Sequence, residues 1–538
     1  MNKLFEQLLK KRKIEPDFLH PDYEKLSSPA NLPDIKKAVE RIKKAVQESE
    51  KILIYGDYDV DGVTSSTLME EALVLSGVKP ENIEIMLPDR FADGYGMSPK
   101  LIKRAEKSKI TLVITVDCGS RNHEIIDELN TLKIDTIVTD HHECGETLPA
   151  ALAIVNPKRQ DIDLKEPSLR ELAGVGVAFK LAQALTEEKL IKEGQEKWLL
   201  DLVLIGTICD SMLLVGENRI LCFYGAKVLE KTRRKGLKEL LKKAGVKTIN
   251  SESVGFQIGP RLNAAGRLET ANLSLELLRT KSATEAAALS ERLEVLNKKR
   301  RTEQTAASDE ISKRGVVDTP VIIETGKWHE GILGIVAGRL VEKYQKPAFV
   351  LTEVENGIFK GSGRSFGDFS LAEALNAAKD TIISGGGHAG AAGVRVDGKN
   401  LYAFREKIND YYNSLNLKDQ TSFLSISPDL DVENVADFSI ELIDDLKTLE
   451  PFGAGNEEPI FCIKNAKIVN IHRMGTDGKH LRMDIKDSHN NPFKLVAFFA
   501  PDSWFSLDTE VSHDLCIKVT LNDFQGVRSV EGRLIDVD

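Results

Sequence analysis

The sequence predicts an α/β protein that carries a small β-barrel at its C-terminal end. Before residue 156, five short apolar runs rich in Ile and Val recur with helix-sized stretches between them. Such runs are typical of parallel strands that helices cover on both faces. From about residue 420 the pattern changes to alternating polar and apolar residues, as in barrel strands. A chain of 538 residues has room for about three such domains.

Five segments follow one another along the chain. We predict a helical N-terminal arm (1–48), an α/β domain (49–215), a helical connector (216–314), a second α/β domain (315–420) and a β-barrel (421–538). The predicted strands are KILIY (51–55), NIEIML (82–87), TLVITV (111–116), DTIVT (135–139), ALAIV (151–155), PVIIET (320–325), AFVLT (348–352), HLRMDIKD (480–487), FKLVAFF (493–499) and LCIKVTL (515–521). The connector ends in a long helix over 282–314, and KGSGRS (360–365) and SGGGHAGAAG (384–393) are predicted loops.

Composition excludes several classes of protein. The 73 Lys and Arg residues are outnumbered by 83 Asp and Glu, so net charge alone does not bind nucleic acid, although a local basic groove remains possible. Six cysteines without a C-x-x-C pair indicate neither a disulfide framework nor a zinc knuckle. The N-terminus has no signal-peptide core, and no run is long enough to span a membrane. We therefore expect a cytoplasmic protein.

Carboxylates and imidazoles follow several of the apolar runs at the point where each run ends. The carboxyl ends of parallel strands lie along one edge of a sheet, so these side chains are expected to converge there. They are Asp57, Asp59, Asp61, Asp117, Asp140, His141, His142 and Asp210. A single Asp after a strand is often only a turn former or a helix cap. A cluster of carboxylates needs cations, and oxygen ligands with some imidazole favour two Mn²⁺ or Mg²⁺ ions over structural zinc.

These residues also carry a resemblance to a known family. The motifs D-Y-D-V-D-G (57–62), V-D-C-G (116–119) and D-H-H (140–142), with the later Asp210, resemble those of the DHH phosphoesterase superfamily. Within it the chain resembles the RecJ family, because further blocks match in order. These blocks are PDRFADGYGMSP (88–99), LAGVGVAFKLAQAL (172–185), GPRLNAAGRL (259–268), WHEGILGIVAGRL (328–340), GSGRS, GGGHAGAAG and PFGAGNEEP (451–459). Other branches usually have a metal-binding His where this chain has Tyr55.

The resemblance implies a single-stranded-DNA-specific 5′ to 3′ exonuclease that releases 5′-mononucleotides in DNA repair and recombination. It implies a parallel-sheet DHH domain, a DHH-associated substrate-binding domain and an OB-fold-like barrel. Related proteins commonly work with a helicase and a single-strand-binding protein. Whether the barrel residues Phe493, Phe498 and Phe499 face outward toward a strand or inward to the core stays open.

The resemblance also implies roles for the clustered residues. The metal ligands are Asp59, Asp61, Asp117, His141 and Asp210, with Asp117 as the bridge. Asp57 binds a metal directly or supports a ligand. Asp140 orients a neighbouring imidazole, whereas His142 contacts metal or substrate phosphate, or transfers a proton.

Phosphate recognition requires donors, which glycine-rich loops of the chain are predicted to supply. The candidate substrate-binding residues are Arg90, Arg261, Arg267, His329, Ser362, Arg364 and His388. Any single arginine can instead form a structural ion pair, and His329 can equally cap the helix that follows it. The basic stretches at 231–247 and NKKRR (297–301) are interpreted as solvated helix faces, with a path for the strand as the alternative.

Two other functions compete with this prediction. One is hydrolysis of a short or cyclic nucleotide by the same site, which Tyr55 and the large architecture disfavour. The other is a non-catalytic binding protein on a nuclease scaffold, in which metal ligands would be expected to decay. All four motifs are intact here.

Overall fold

A computed structural model describes residues 1–415, 417, 426–475, 478–524 and 526–538. The helices are α1 (Lys3–Arg12), α2 (Pro16–Leu19), α3 (Ile35–Glu48), α4 (Val60–Leu75), α5 (Lys100–Ser108), α6 (His123–Thr131), α7 (Gly174–Glu187), α8 (Leu200–Cys209), α9 (Gly216–Glu230), α10 (Lys235–Ala244), α11 (Gly259–Leu268), α12 (Asn272–Arg279), α13 (Ala283–Arg314), α14 (Leu333–Tyr344), α15 (Leu371–Ala377), α16 (Leu401–Ser414) and α17 (Ile440–Lys447). The strands are β1 (Ile52–Tyr55), β2 (Ile83–Met86), β3 (Leu112–Val116), β4 (Asp135–Thr139), β5 (Ala153–Val155), β6 (Ile322–Gly326), β7 (Ala348–Glu355), β8 (Ile358–Arg364), β9 (Ser384–Gly387), β10 (Ala391–Asp397), β11 (Leu430–Val432), β12 (Phe461–Met474), β13 (His480–Lys486), β14 (Pro492–Ala497), β15 (Ser512–Phe524) and β16 (Val527–Val537).

The first sheet is parallel throughout and has the strand order β2-β1-β3-β4-β5. Each of its strands coincides with one of the five predicted apolar runs. Strand β1 is buried on both faces, because Ile52 and Ile54 pack into one core while Leu53 and Tyr55 pack into another. Parallel strands with helices on both faces therefore form as the sequence predicts.

The helices after the first sheet do more than connect domains. Apolar residues of α9 to α13, such as Leu229, Leu262 and Leu296, lie in the same core as β1 and β3. The long helix α13 is confirmed over residues 283–314. Its far end packs on the second sheet through Ala307 and Ile311. One rigid element thus fixes the second α/β unit relative to the first.

The second sheet has the order β6-β7-β8-β10-β9, with β6 and β7 parallel and the other pairs antiparallel. The predicted loops KGSGRS and SGGGHAGAAG are mostly strand, so that prediction was wrong. The reason is packing: a Cβ on Gly361 would lie 2.6 Å from Leu351, and one on Gly363 would lie 2.6 Å from Phe349. Glycine leaves the space that these large side chains of the neighbouring strand β7 occupy on the same face of the sheet.

The third sheet is a barrel with the order β11-β12-β13-β14-β16-β15, closed by pairing of β12 with β15. The predicted barrel is confirmed, and Phe493 lies in its core whereas Phe498 and Phe499 are exposed. Helix α1 packs on this barrel, because Leu4, Phe5 and Leu8 share its core. The predicted boundary at 420/421 lies outside the described residues.

Within the described ranges, no helix combines the length and apolar character that a membrane crossing requires.

Candidate active site

The predicted carboxylates converge at one edge of the first sheet. Asp57 follows β1, Asp117 follows β3 and Asp140 follows β4. Asp117 has a φ of 61°, a left-handed conformation that is uncommon for a residue other than glycine and is typical of strained functional positions. Asp210 reaches the same place from the C-terminal end of helix α8, not from a strand as its apolar run suggested. That helix is buried all round, so its sequence shows no helical periodicity.

Three overlapping groups of side chains could each hold a metal ion. Within each group the ligand atoms lie within 4.8 Å of one another. The groups are Asp57, Asp59 and Asp117; Asp61, His141 and Asp210; and Asp117, His141 and His142. Asp117 belongs to two of them, as does His141, and a carboxylate shared in this way can serve two ions.

The carboxylates destabilise one another in the absence of a cation. Burial and then the charge of Asp59 raise the pKa of Asp61 to about 7, and burial with the charges of Asp61 and Asp59 raises the pKa of Asp210 to about 8. Burial and neighbouring carboxylates also raise the pKa values of Asp57 and Asp117 well above their usual range. A divalent cation would reverse these shifts, because it stabilises every ionised ligand at once.

His141 shows where such a cation fits. Its Nε2 lies 3.1 Å from Asp117 Oδ1, 3.5 Å from Asp210 Oδ2 and 3.8 Å from Asp61 Oδ2, yet neither ring nitrogen forms a hydrogen bond. Asp117 Oδ1 is also buried without a hydrogen-bond partner. Burial and the charge of His142 lower the pKa of His141 to about 3, so its ring is neutral. A neutral imidazole among three carboxylates, one of which has an oxygen without a hydrogen-bond partner, fits Mn²⁺ or Mg²⁺.

Asp140 orients the second histidine of the motif. Its Oδ1 lies 2.9 Å from His142 Nδ1 and accepts the backbone N–H groups of His141 and His142. Burial opposes protonation of His142, but the hydrogen bond and charge of Asp140 outweigh it and raise the pKa of His142 to about 9. His142 thus carries a proton and leaves Nε2 for a partner other than Asp140.

Several residues that complete the cluster carry no chemical signal in the sequence. The backbone N–H groups of Gly174 and Val175, at the start of α7, donate to Asp61 at 2.7 and 2.9 Å. A Cβ on Gly174 would lie 2.6 Å from the Asp117 side chain, so only glycine permits this approach. Asn156 is fully buried and donates to the carbonyl of His142 and to Ser120 Oγ.

A second feature beside the acidic cluster is a group of arginines, which we call the arginine pocket. It comprises Arg90 after β2, Arg267 on α11 and Arg364 at the end of β8. Burial, then the charges of Arg90, Arg300 and Arg364, lower the pKa of Arg267 to about 9. Among the described residues, no carboxylate forms an ion pair with Arg90, Arg267 or Arg364, although the charge of Asp59 acts on Arg267 from a greater distance. Positive charge without a protein counterion is what an anion site requires.

Side-chain and backbone contacts hold the arginine pocket together. Arg364 donates to Ser362 Oγ at 3.2 Å. Its guanidinium lies close against Gly334, where an added Cβ would be 2.8 Å from Arg364 Nη2. Gly331 lies directly against the backbone of Arg267, which joins the second α/β unit to α11. Arg90 stacks on the ring of Tyr58, 4.1 Å from its centroid. Arg267 lies in helix α11, so the prediction that a glycine-rich loop carries it is wrong.

The remaining predicted donors lie in other surroundings. Arg261 donates to Glu294 at 2.6 Å and so forms the structural ion pair that was its alternative. His329 Nδ1 accepts the Gly331 N–H at 3.0 Å, as a helix cap does, and its ring contacts Phe91. His388 lies in the exposed turn between β9 and β10. That turn adjoins the arginine pocket, because Ser365 N–H donates to Gly390 O.

A cleft of about 860 Å³ lies between the C-terminal end of helix α8 and the barrel. Its lining includes Ser211 beside Asp210, Phe256, Arg267 and Arg300. Arg300 belongs to the NKKRR stretch that the sequence assigned to a solvated face, and it is one residue that sequence reasoning missed. Phe256 is 79% exposed.

Comparisons with known proteins agree with this geometry. Three family models match: the N-terminal domain of the DHH family at residues 51–207, the DHHA1 domain at 318–414 and the RecJ OB domain at 430–536. The single-stranded-DNA-specific exonuclease RecJ of Escherichia coli (strain K12) is 32% identical over 531 residues, which cover 93% of this chain and 89% of that protein. The chain belongs to the RecJ family.

Two further relatives place the chain within the RecJ family. The Bacillus subtilis (strain 168) exonuclease RecJ is 36% identical over 509 residues; they cover 92% of this chain but only 63% of that longer protein. The crystal structure of RecJ in complex with Mn²⁺ from Thermus thermophilus superposes with a TM-score of 0.85 at 28% identity. The superposition covers 100% of this chain and 76% of the Thermus thermophilus chain. A second structure from that source was solved with Mg²⁺.

Proposed function

We propose that this protein is a metal-dependent phosphodiesterase that degrades single-stranded DNA from its 5′ end and releases 5′-mononucleotides. The observation that carries the proposal is the acidic cluster beside an arginine pocket that forms no direct ion pair with the described residues. Phosphodiester hydrolysis needs cations at the attacked phosphate, and an exonuclease also needs a separate anion site for the chain end. The two features adjoin each other, because Arg90 is near enough to Asp57, and Arg267 to Asp59, for their charges to interact.

Asp57, Asp59, Asp61, Asp117, His141 and Asp210 are proposed to hold two Mn²⁺ or Mg²⁺ ions. When bound, these ions supply Lewis-acid activation of the phosphate and of the attacking water. The protein fixes the ligands beforehand: Gly174 and Val175 N–H groups orient Asp61, and strand ends position Asp57 and Asp117. His142, held by Asp140, is proposed to donate a hydrogen bond or a proton to the scissile group.

The arginine pocket is proposed to recognise the terminal 5′ phosphate. A terminal monophosphate has more negative charge than an internal phosphodiester, and forked guanidinium groups bind its oxygens bidentately. Arg90, Arg267, Ser362 and Arg364 form this proposed site, with His388 and His329 at its border. The 5′ polarity rests on membership of the RecJ family.

The cellular setting is proposed from the same family membership. The protein would act in the cytoplasm during DNA repair and recombination, where a helicase supplies single strands and a single-strand-binding protein covers them. Six free cysteines suit a reducing compartment.

One degradation experiment tests the proposal. Single-stranded, duplex and cyclic substrates, each labelled at a defined position, are incubated with Mn²⁺, Mg²⁺ or EDTA. We expect mononucleotides from the 5′ end of single strands with either metal and no product with EDTA. Faster hydrolysis of a cyclic dinucleotide than of a single strand would instead favour the small-nucleotide function.

A further inference from the structure

Arg219 connects three separate segments of the chain at one point. It lies in the first turn of α9 and is 2% exposed. Its Nε donates to the carbonyl of Phe18 in the N-terminal arm at 3.0 Å. Its Nη1 and Nη2 donate to the carbonyls of Leu449 and Thr448, just after α17, at 2.7 and 3.1 Å. We call Arg219 and these three carbonyl residues the arginine clamp.

The charge of Arg219 is buried among neutral groups. Among the residues that the structure describes, no carboxylate forms an ion pair with it, and burial alone lowers its pKa to about 10. The guanidinium also stacks on the Phe18 ring, 3.7 Å from its centroid. Burying a charge in this way costs free energy, so charge balance does not explain the residue. What the planar fork does provide is direction, because it holds three carbonyls in one arrangement.

The arginine clamp joins the core of the first α/β domain to the core of the barrel. Helix α9 lies in the core that contains β1 and β3, through Leu221 and Leu229. Helix α17 lies in the barrel core through Leu442 and Leu446. Two of the three clamped carbonyls belong to the residues that directly follow α17. The clamp therefore fixes the end of α17, and the barrel with it, relative to α9.

A buried ion pair holds the N-terminal arm at the same turn of α9. Lys180 of α7 and Glu217 of α9 form this pair, and their side chains are 0% and 2% exposed. Both contact Ser27, whose carbonyl accepts from Lys180 Nζ at 2.6 Å and whose N–H donates to Glu217 at 3.1 Å. Helix α1, at the start of the arm, packs in the barrel core. The arm thus ties the barrel to α9 at two points, Phe18 and Ser27.

The loop that follows the arginine clamp forms part of the wall of the cleft. Residues 450 and 452–454 line the cleft, as does Ser211 after the end of α8. Asn456 is 5% exposed and donates to the carbonyl of Leu449 at 2.8 Å, the same carbonyl that Arg219 Nη1 binds. The position of this wall, and hence the width of the cleft, depends on where the clamp holds the loop.

We propose that Arg219 is a positioning residue that sets the width of the cleft between α8 and the barrel, and so aligns a long single strand with the acidic cluster. The inference rests on the proposed function, because the barrel matches the RecJ OB domain and OB folds bind single strands. The hydrogen bonds of Arg219 go to carbonyls alone, so it acts through the 448–456 loop and not on the reacting atoms. A strand too short to reach the barrel does not need it.

Conservative replacement of Arg219 tests this role. Arg219→Lys keeps the charge, but a single ammonium group lacks the planar fork that reaches three carbonyls. Asn456→Ala is a second variant, which removes the other donor to the Leu449 carbonyl. The matched control is Arg234→Lys, since Arg234 is also buried but pairs with Asp201 of α8 and Glu71 of α4, away from the barrel.

Steady-state kinetics with Mn²⁺ on 5′-phosphorylated strands of about 6 and about 30 nucleotides give the main readout. Misalignment at one stacked base weakens binding by about 5- to 150-fold, so Arg219→Lys and Asn456→Ala should raise KM for the long strand by at least about fivefold. Their kcat values, and KM for the short strand, should stay within about twofold of the wild type. Hydrogen exchange in residues 16–27 and 448–456 should be faster in Arg219→Lys but not in Arg234→Lys.

Several results would overturn the positioning role. A wild-type KM for the long strand in Arg219→Lys, despite faster exchange at 448–456, would show that the arginine clamp does not align the substrate. An equal rise of KM for both strands, or the same long-strand effect in Arg234→Lys, would show general destabilisation instead. If Arg219→Lys does not fold, Asn456→Ala decides the test by the same criteria. Failure of the wild-type protein to degrade either strand would refute the proposed function itself, which no result with the variants can do.

Discussion

Replacing Arg364 with alanine should remove most of the preference for a 5′-phosphorylated end over a 5′-hydroxyl end. Arg364 lies at the end of β8, anchored to Ser362 Oγ and the Gly363 carbonyl, and has no carboxylate partner in the described residues. A charge-assisted hydrogen bond to a phosphate contributes about 1.5–3 kcal/mol. Since about 1.4 kcal/mol is a tenfold ratio, the preference should fall by about 10- to 150-fold. Contacts of Arg90 and Arg267 with the phosphate should maintain the preference that remains.

The assay is a competition between the two substrates at one salt concentration, with kcat/KM for each end. Arg261→Ala is the matched control, because Arg261 belongs to the neighbouring helix α11 but is paired with Glu294. Arg364→Lys keeps the charge without the planar fork and should give an intermediate ratio. An unchanged ratio in Arg364→Ala, or an equal loss in Arg261→Ala, would refute the assigned pocket.

Three further outcomes follow from the geometry. Asp210→Asn should abolish hydrolysis yet raise the Tm of EDTA-treated protein at pH 8. Burial and neighbouring carboxylates raise the pKa of Asp210 to about 8, so its ionisation above the pKa of the unfolded chain opposes folding. A lower Tm of the variant in calorimetry would contradict this. Tyr55→Phe should raise KM more than it lowers kcat, because the hydroxyl donates to Gly96 O and accepts from Ser98 N–H in the loop that carries Arg90. Steady-state kinetics that show a loss only in kcat would contradict this. Asn156→Ala should lower kcat by about 10- to 100-fold with an unchanged circular dichroism spectrum, because Asn156 donates to the carbonyl of His142 and so positions it. Wild-type turnover by the variant would show that His142 is positioned without Asn156.

Much of the fold follows from local sequence. The parallel strands are continuous Ile- and Val-rich runs, and the barrel strands alternate, so both are visible in short windows. The convergence of Asp57, Asp117 and His141 also follows, because parallel strands end along one edge. Tyr55 illustrates a partial success: its identity excludes a metal-binding imidazole, but only the structure shows that its hydroxyl supports the 88–99 loop.

The failures have a common physical cause, which is contact between distant segments. The apolar run before Asp210 is helical because other helices surround it, and a fully buried helix has no polar face to reveal its period. The glycines around Arg364 serve neighbours on β7 that the sequence does not identify. Likewise Arg261 and Arg300 differ only in their tertiary partners: Glu294 pairs with the first, whereas the second lines the cleft.

The acidic cluster is proposed to hold two divalent ions, with Asp117 among the ligands of both. Isothermal titration of Mn²⁺ into EDTA-treated, dialysed protein, compared with Asp117→Ala, tests it most directly. We predict two bound ions per wild-type chain, and in the variant the loss of at least one ion together with all hydrolysis and an unchanged circular dichroism spectrum. Identical Mn²⁺ stoichiometry in both proteins, with near wild-type turnover by the variant, would contradict the account.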